Sequence, residues 1–174
     1  GFKIIDCQLN DTNGGSFRIY AMKDVGDIKV FSTQPYRDVC EYRINSLLNH
    51  EYNLALDSVW TWKQFFERVN NLKEEVVGFI KQEKAKGKSI FGLGASTKGS
   101  TLVQYFGLGP YIDFIVERSP AKFGLKTVGT NIPIISELQM KEYFKKNPSL
   151  INKSYGFVFP WHFINEMQNR YNWF

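Results

Sequence analysis

Cysteine and histidine are scarce in this chain of 174 residues: Cys7 and Cys40, His50 and His162 are all it has. They share no metal-ligand spacing, so the sequence offers no metal site and no disulfide framework. Two sparse thiols suit a reducing, cytoplasmic setting. No apolar run reaches the roughly 20 residues that a membrane-spanning helix needs, so no membrane partner is expected. No secretory leader is expected either. The opening Gly1-Phe2-Lys3-Ile4-Ile5 reads as the inside of a strand, which suggests a fragment or a chain trimmed at its N-terminus. There is no internal repeat and no low-complexity tract.

What is present is a core-forming composition, 43% hydrophobic and 16% aromatic, which excludes general disorder. The formal net charge of +5 admits an anionic partner. Lys81, Lys84, Lys86 and Lys88, however, follow one another where a helix ends, and cations complement the dipole there. Ordinary solubility is the preferred reading, and nucleic acid is not an expected partner.

Periodicity divides the chain. Phe2–Leu9 and Ser16–Met22 read as strands; in the second, Phe17, Ile19 and Ala21 alternate with Arg18, Tyr20 and Met22. Asn10–Gly15 between them is rich in residues that tolerate positive φ, so an antiparallel hairpin is expected. A lone hairpin is not stable in water and must add to a further sheet. Lys23–Pro35 reads as a polar connection and Tyr36–His50 as a helix of weak periodicity. A clearer helix starts at an Asp57 or Ser58 cap, with Thr61 and Gln64 as a second possible capping box. It runs to about Lys86, where Gly87 stops it. Its stripe of Trp62, Phe65, Phe66, Val69, Leu72, Val76 and Ile80 is expected to pack into the core rather than bind a partner.

After Gly87, strands and helices alternate. Ser89–Gly92, Ile112–Val116, a short Ile132–Ile135 run and Gly156–Phe159 are apolar strand candidates. Helices are expected over Lys98–Phe106, over Glu137–Phe144 behind a Ser136 cap, and from Phe163 to about Arg170. This order predicts right-handed crossovers and a parallel sheet. The fold class is therefore α/β: a Rossmann-like parallel sheet with flanking helices, preceded by a β-hairpin and a long amphipathic helix.

The chemistry is expected in Gly92-Leu93-Gly94-Ala95-Ser96-Thr97-Lys98-Gly99, a glycine-rich turn between strand and helix. Gly92 permits the tight turn and Gly94 a close approach of backbone to pyrophosphate. Exposed amides and the positive helix end would face the anion, with Ser96, Thr97 and Lys98 as further donors. Neither better-known phosphate motif fits. Thr97 stands where a dinucleotide fingerprint has glycine or alanine, and Lys98-Gly99-Ser100 reverses the start of the P-loop's Gly-Lys-Ser. Glu117, at a strand's C-terminal end, is either an acceptor for two ribose hydroxyls or a partner of Arg118. Trp161, in Pro160-Trp161-His162-Phe163, either stacks on a base or sugar or closes the sheet edge. No partner carboxylate marks His162 as a base.

Asn13-Gly14-Gly15-Ser16-Phe17-Arg18, the Gly92–Gly99 turn and Pro160-Trp161-His162-Phe163 occur in an order that resembles one family. Ile112–Pro120 and Gly129-Thr130-Asn131-Ile132-Pro133-Ile134 fit the same pattern. The chain is similar, over nearly its whole length, to the C-terminal part of S-adenosylmethionine-dependent sugar-nucleotide C-methyltransferases. The resemblance implies a three-part enzyme with an N-terminal zinc-binding domain, a central methyl-donor domain and this Rossmann-like part. It implies deprotonation beside a ketone and attack of the carbanion on the sulfonium methyl. Residues 1–50 would then be the terminal hairpin and connection of the methyl-donor domain, and 51–174 the nucleotide-sugar-binding domain. The partners implied are a nucleotide-linked keto-sugar and the missing N-terminal domains.

Some of the family's parts are not in this chain. It carries no cysteine cluster and no glycine turn for S-adenosylmethionine, so that cofactor belongs to the full-length enzyme and is not expected to bind here. The family's presumed base and tyrosine lie upstream of Gly1, and no catalytic residue is placed. Asn13 stands where some relatives carry histidine. Two other readings stay open. One is an NAD(P)-dependent reductase using Gly92, Gly94 and Glu117. The other is a non-catalytic nucleotide or coenzyme A module.

Overall fold

A computed structural model describes residues 1–24 and 33–173. Most of the connection expected over Lys23–Pro35, residues 25–32, lies outside the described residues. The chain divides into two compact units, Gly1–Arg68 and Val69–Phe174.

In the first unit β1 (Phe2–Asn10) and β2 (Ser16–Lys23) form an antiparallel hairpin. Positive φ at Asn13, Gly14 and Gly15 turns the chain, which is why the loop is built of these residue types. A bulge between Ile4 and Asp6 breaks the period of two, and neighbours Asp6 and Cys7 are both buried. Helix α1 (Gln34–Asn53) lies on β1 and extends beyond the expected Tyr36–His50 at both ends. Pro35 falls in its first turn, where a missing N–H costs nothing. Arg43 forks onto Asp6, Nε to Oδ1 at 2.8 Å and Nη2 to Oδ2 at 2.7 Å. These bonds hold the Asp6 carboxyl below its ordinary pKa despite burial. The alternation in β2 produces a strand, but Phe17 and Ile19 stay exposed.

Helix α2 (Val59–Ala85) begins after Ser58, whose Oγ accepts from Trp60 N at 3.3 Å. Thr61 therefore does not start it; its hydroxyl donates to the Leu54 carbonyl at 3.4 Å. Gly87, at φ +75, follows the helix end. The core-packing expectation for the aromatic stripe is overturned in part. Val69, Val76 and Ile80 pack in the core, whereas Trp62, Phe65 and Phe66 are 53%, 49% and 53% exposed. Helical spacing identifies a common face, but it does not fix how far a neighbouring layer extends along that face.

The second unit is a four-stranded parallel sheet in the order β5-β4-β3-β6. Its strands are β3 (Ser89–Leu93), β4 (Ile115–Glu117), β5 (Ile134–Ser136) and β6 (Ser154–Val158). The helices are α3 (Thr97–Phe106), α4 (Glu137–Lys146) and α5 (Ile164–Arg170). Adjacent residues enter separate apolar clusters: Ile90 and Ile115 join Val103, Phe106 and α2, while Phe91 and Val116 join Met140 and Phe144. Burial on both sides explains the near-continuous apolar runs. Ser136 caps α4 as expected, and the Gln139 side chain extends the cap into a full capping box.

Three strands differ from expectation, the Ile132–Ile135 run forming β5 only over Ile134–Ser136. The Ile112–Val116 strand starts only at Ile115, because Asp113 is used elsewhere. Its carboxylate accepts from Ser89 Oγ at 2.6 Å and Ile90 N at 3.0 Å, pinning the start of β3. The Gly156–Phe159 strand is shifted to Ser154–Val158, and Phe159 turns into the core.

Phe159 also explains two glycines. A Cβ on Gly92 would lie 2.4 Å from Phe159 Cε2, and one on Gly99 would lie 2.7 Å from its Cγ. Gly92 thus makes room for a ring rather than for a tight turn. Gly99→Ala sets a helix-propensity gain of at most about 1 kcal/mol against overpacking of about 1–3 kcal/mol. We expect net destabilisation in urea unfolding. A gain would show that Phe159 yields freely.

Candidate functional site

From β3 the chain moves through β4 to β5, then returns by α4 to the other side of β3 as β6. The crevice beyond the C-terminal ends of β3 and β6 is therefore the switch point at which open parallel sheets bind ligands. The glycine turn follows β3, and Pro160-Trp161 follows β6. The two meet, since a Cβ on Gly94 would lie 3.1 Å from Pro160 Cγ and Cδ. Gly94 also has φ +85. Valine there would strain the backbone and crowd Pro160, so it would not report on phosphate approach alone.

Amides of the turn expected to be exposed are bonded within the chain, to the turn and to the end of β4. Gly94 N donates to Val116 O at 2.8 Å, and Ser96 N to Gly94 O at 2.9 Å. Ala95 N donates to Glu117 Oε2 at 2.9 Å. Ser96 caps α3, its Oγ accepting from Gly99 N at 3.1 Å. What the site offers an anion is the positive end of α3, the Ser96 and Thr97 hydroxyls, and nearby cations. Thr97 and Lys98 are exposed.

Glu117 ends β4 with its side chain 14% exposed. Its Oε1 accepts from Arg118 N at 2.8 Å and Ser119 N at 3.1 Å. Lys122 Nζ lies 3.5 Å from Oε2 and donates to Ala95 O at 2.8 Å. The guanidinium of Arg118 instead faces Glu166, at 3.7 Å. Burial pushes the Glu117 pKa up, but the Ser119 and Arg118 amides, the Lys122 ammonium and the Ala95 amide outweigh it, leaving it below 4.5. Lys122 was not singled out from sequence. Its only local signal is the Pro120–Lys122 turn that brings the chain back after the strand.

Trp161 opens a 3₁₀ turn over Trp161–Phe163 and is 63% exposed, edge-on to His162 at 5.9 Å between ring centres. His162 Nδ1 is buried and has no hydrogen-bond partner among the described residues. Gly92 and Gly99 lie beneath the site, packed on Phe159. The glycine turn, Glu117 and Trp161 thus gather at one end of the sheet. Among the described residues no group of His, Cys, Asp or Glu could hold a metal ion.

The depressed pKa sets a sign. Glu117 contributes stability above its unfolded value near 4.5, and that contribution is lost as pH falls through the lower folded value. The stability gap between wild type and Glu117→Gln should therefore be widest near neutrality and shrink below 4.5. Denaturant titrations across this range check it. A constant gap would mean that the ionised form has no special role.

Residues 11–174 match the family model of the C-methyltransferase C-terminal domain. The C-methyltransferase NovU of Streptomyces niveus is 27% identical over 140 residues, which is 80% of this chain and 31% of NovU. The match thus spans less than a third of that relative's length. With a family match over nearly all its residues, the chain belongs to the C-methyltransferase C-terminal domain family.

Proposed function

We propose that this chain is the substrate-binding C-terminal part of an S-adenosylmethionine-dependent methyltransferase acting on a nucleotide-linked keto-sugar. The observation that carries the reading is the exposed Trp161 at the sheet's switch point, on the loop whose Pro160 packs against the glycine turn. An indole there supplies a stacking face for a base. The positive end of α3, with the exposed Lys98 in its first turn, supplies the field a diphosphate needs. Family membership supports the methyltransferase context.

On this reading residues 1–50 are the terminal hairpin and connection of a methyl-donor domain, and 51–174 form the nucleotide-sugar-binding domain. The exposed Phe2, Leu9 and Phe17 on a two-stranded sheet favour such an arrangement. The missing N-terminal domains would be its partners and would supply the catalytic base. The glycine turn does not fit S-adenosylmethionine. The carboxylate that would take its ribose hydroxyls is filled from within the chain. Cytoplasmic residence accords with the free, buried Cys7 and Cys40. No described helix is long and apolar enough to cross a membrane.

A ligand panel followed by thermal unfolding separates the readings, because a bound ligand stabilises by mass action. A thymidine or uridine diphosphate sugar should raise the midpoint; a reduced nicotinamide cofactor, coenzyme A and S-adenosylmethionine should not. Stabilisation by the nicotinamide cofactor alone would favour a reductase. The diphosphate sugar should also change tryptophan fluorescence, and Trp161→Ala should remove that change. Stacking worth about 1–3 kcal/mol makes the affinity loss roughly 5- to 150-fold. An unaltered response in the variant would return Trp161 to closing the sheet edge.

A further inference from the structure

A carboxylate at the end of β4 is where ribose hydroxyls are held in many sheets of this kind. Glu117 has no capacity left for that task. An ionised carboxylate offers about four lone-pair directions. Those of Glu117 meet the amides of Arg118 and Ser119 at Oε1, and the Ala95 amide and Lys122 ammonium at Oε2. Lys122 then completes a closed arrangement by donating to Ala95 O at 2.8 Å. Both polar backbone groups of Ala95 are thus gripped by side chains 22 and 27 positions further along. The next residue, Ser96, is the N-cap of α3. Whatever fixes the two peptide groups that meet at Ala95 fixes the direction in which that helix start is presented.

We propose that Glu117 and Lys122 act as one positioning pair that sets the glycine turn for its ligand, and that Glu117 does not touch the ligand's ribose. This rests on the reading of a nucleotide at the switch point. The chemistry is two-sided. The carboxylate takes the N–H of Ala95, in the peptide shared with Gly94, and the ammonium takes its C=O, in the peptide shared with Ser96, so each holds one plane and only together do they set the backbone at Ala95. The Lys122 side chain is 44% exposed, which makes it the milder member to remove.

Calorimetric titration of the full chain with uridine diphosphate and with 2′,3′-dideoxyuridine diphosphate tests the pair. The proteins are wild type, Glu117→Gln, Lys122→Met and the double variant, each checked for folding by circular dichroism. Each single change should weaken uridine diphosphate binding about tenfold, and the double change by about the same factor, because members of one unit are not additive. Any wild-type preference for the ribose hydroxyls should persist in Glu117→Gln. Loss of that preference would make Glu117 a ribose ligand and overturn the proposal. Additive losses, or unchanged affinity in the folded variants, would overturn it as well. If Glu117→Gln does not fold, Lys122→Met carries the same test: about tenfold loss with the hydroxyl preference kept supports the pair, and unchanged affinity overturns it. Failure of the wild type to bind uridine diphosphate is a different outcome: it removes the reading of the site, and the pair's part in binding with it.

Discussion

Phe159 leaves β6 and enters the core between β3 and α3, in space that exists only because residues 92 and 99 have no side chain. The ring is 2% exposed and packs in the cluster with Ile90, Val103 and Ile115. Burying an aromatic side chain of this kind contributes about 1.5–3 kcal/mol, and a close-packed interior leaves little room for it elsewhere. The position of the site follows from this. With Phe159 in place, Pro160 lies against Gly94, and the chain emerges at Trp161 beside the start of α3. The glycine-rich segment is therefore shaped by packing from within.

The hydrogen bonds lead to the same view of the turn. Gly94, Ala95, Ser96 and Gly99 all donate to acceptors inside the chain. A loop that satisfies its own donors holds its shape before ligand arrives, so little ordering remains to be done on binding. On the proposed reading the cost is fewer amides for a diphosphate, which would shift recognition to the dipole of α3, to hydroxyls and to Lys98. Such recognition weakens as salt rises.

Much of this was legible in sequence, and the limits have physical causes. Ser136 and Gly87 announced helix ends because caps are local chemistry. The hairpin was equally plain, since Asn13-Gly14-Gly15 carries its positive φ on the residues themselves. Burial along α2 was not legible, because a periodic stripe looks the same whether or not a layer covers its aromatic end. The roles of Gly92 and Glu117 were not legible either. Phe159 is 67 positions from Gly92, and Ala95 is 22 from Glu117; no local pattern links such pairs. Lys122 escaped notice for the same reason, its acceptor being the backbone of Ala95.

The central claim, that a nucleotide sugar sits at the switch point between β3 and β6, is open to one direct measurement. Backbone amide and indole resonances of the isotope-labelled chain can be followed during titration with a thymidine diphosphate sugar. The account predicts that the largest shifts fall on Ser96, Thr97, Lys98 and Lys122 and on the Trp161 indole, while Gly1–Arg68 changes little. Shifts concentrated in that first unit, or none at saturating ligand, would contradict it.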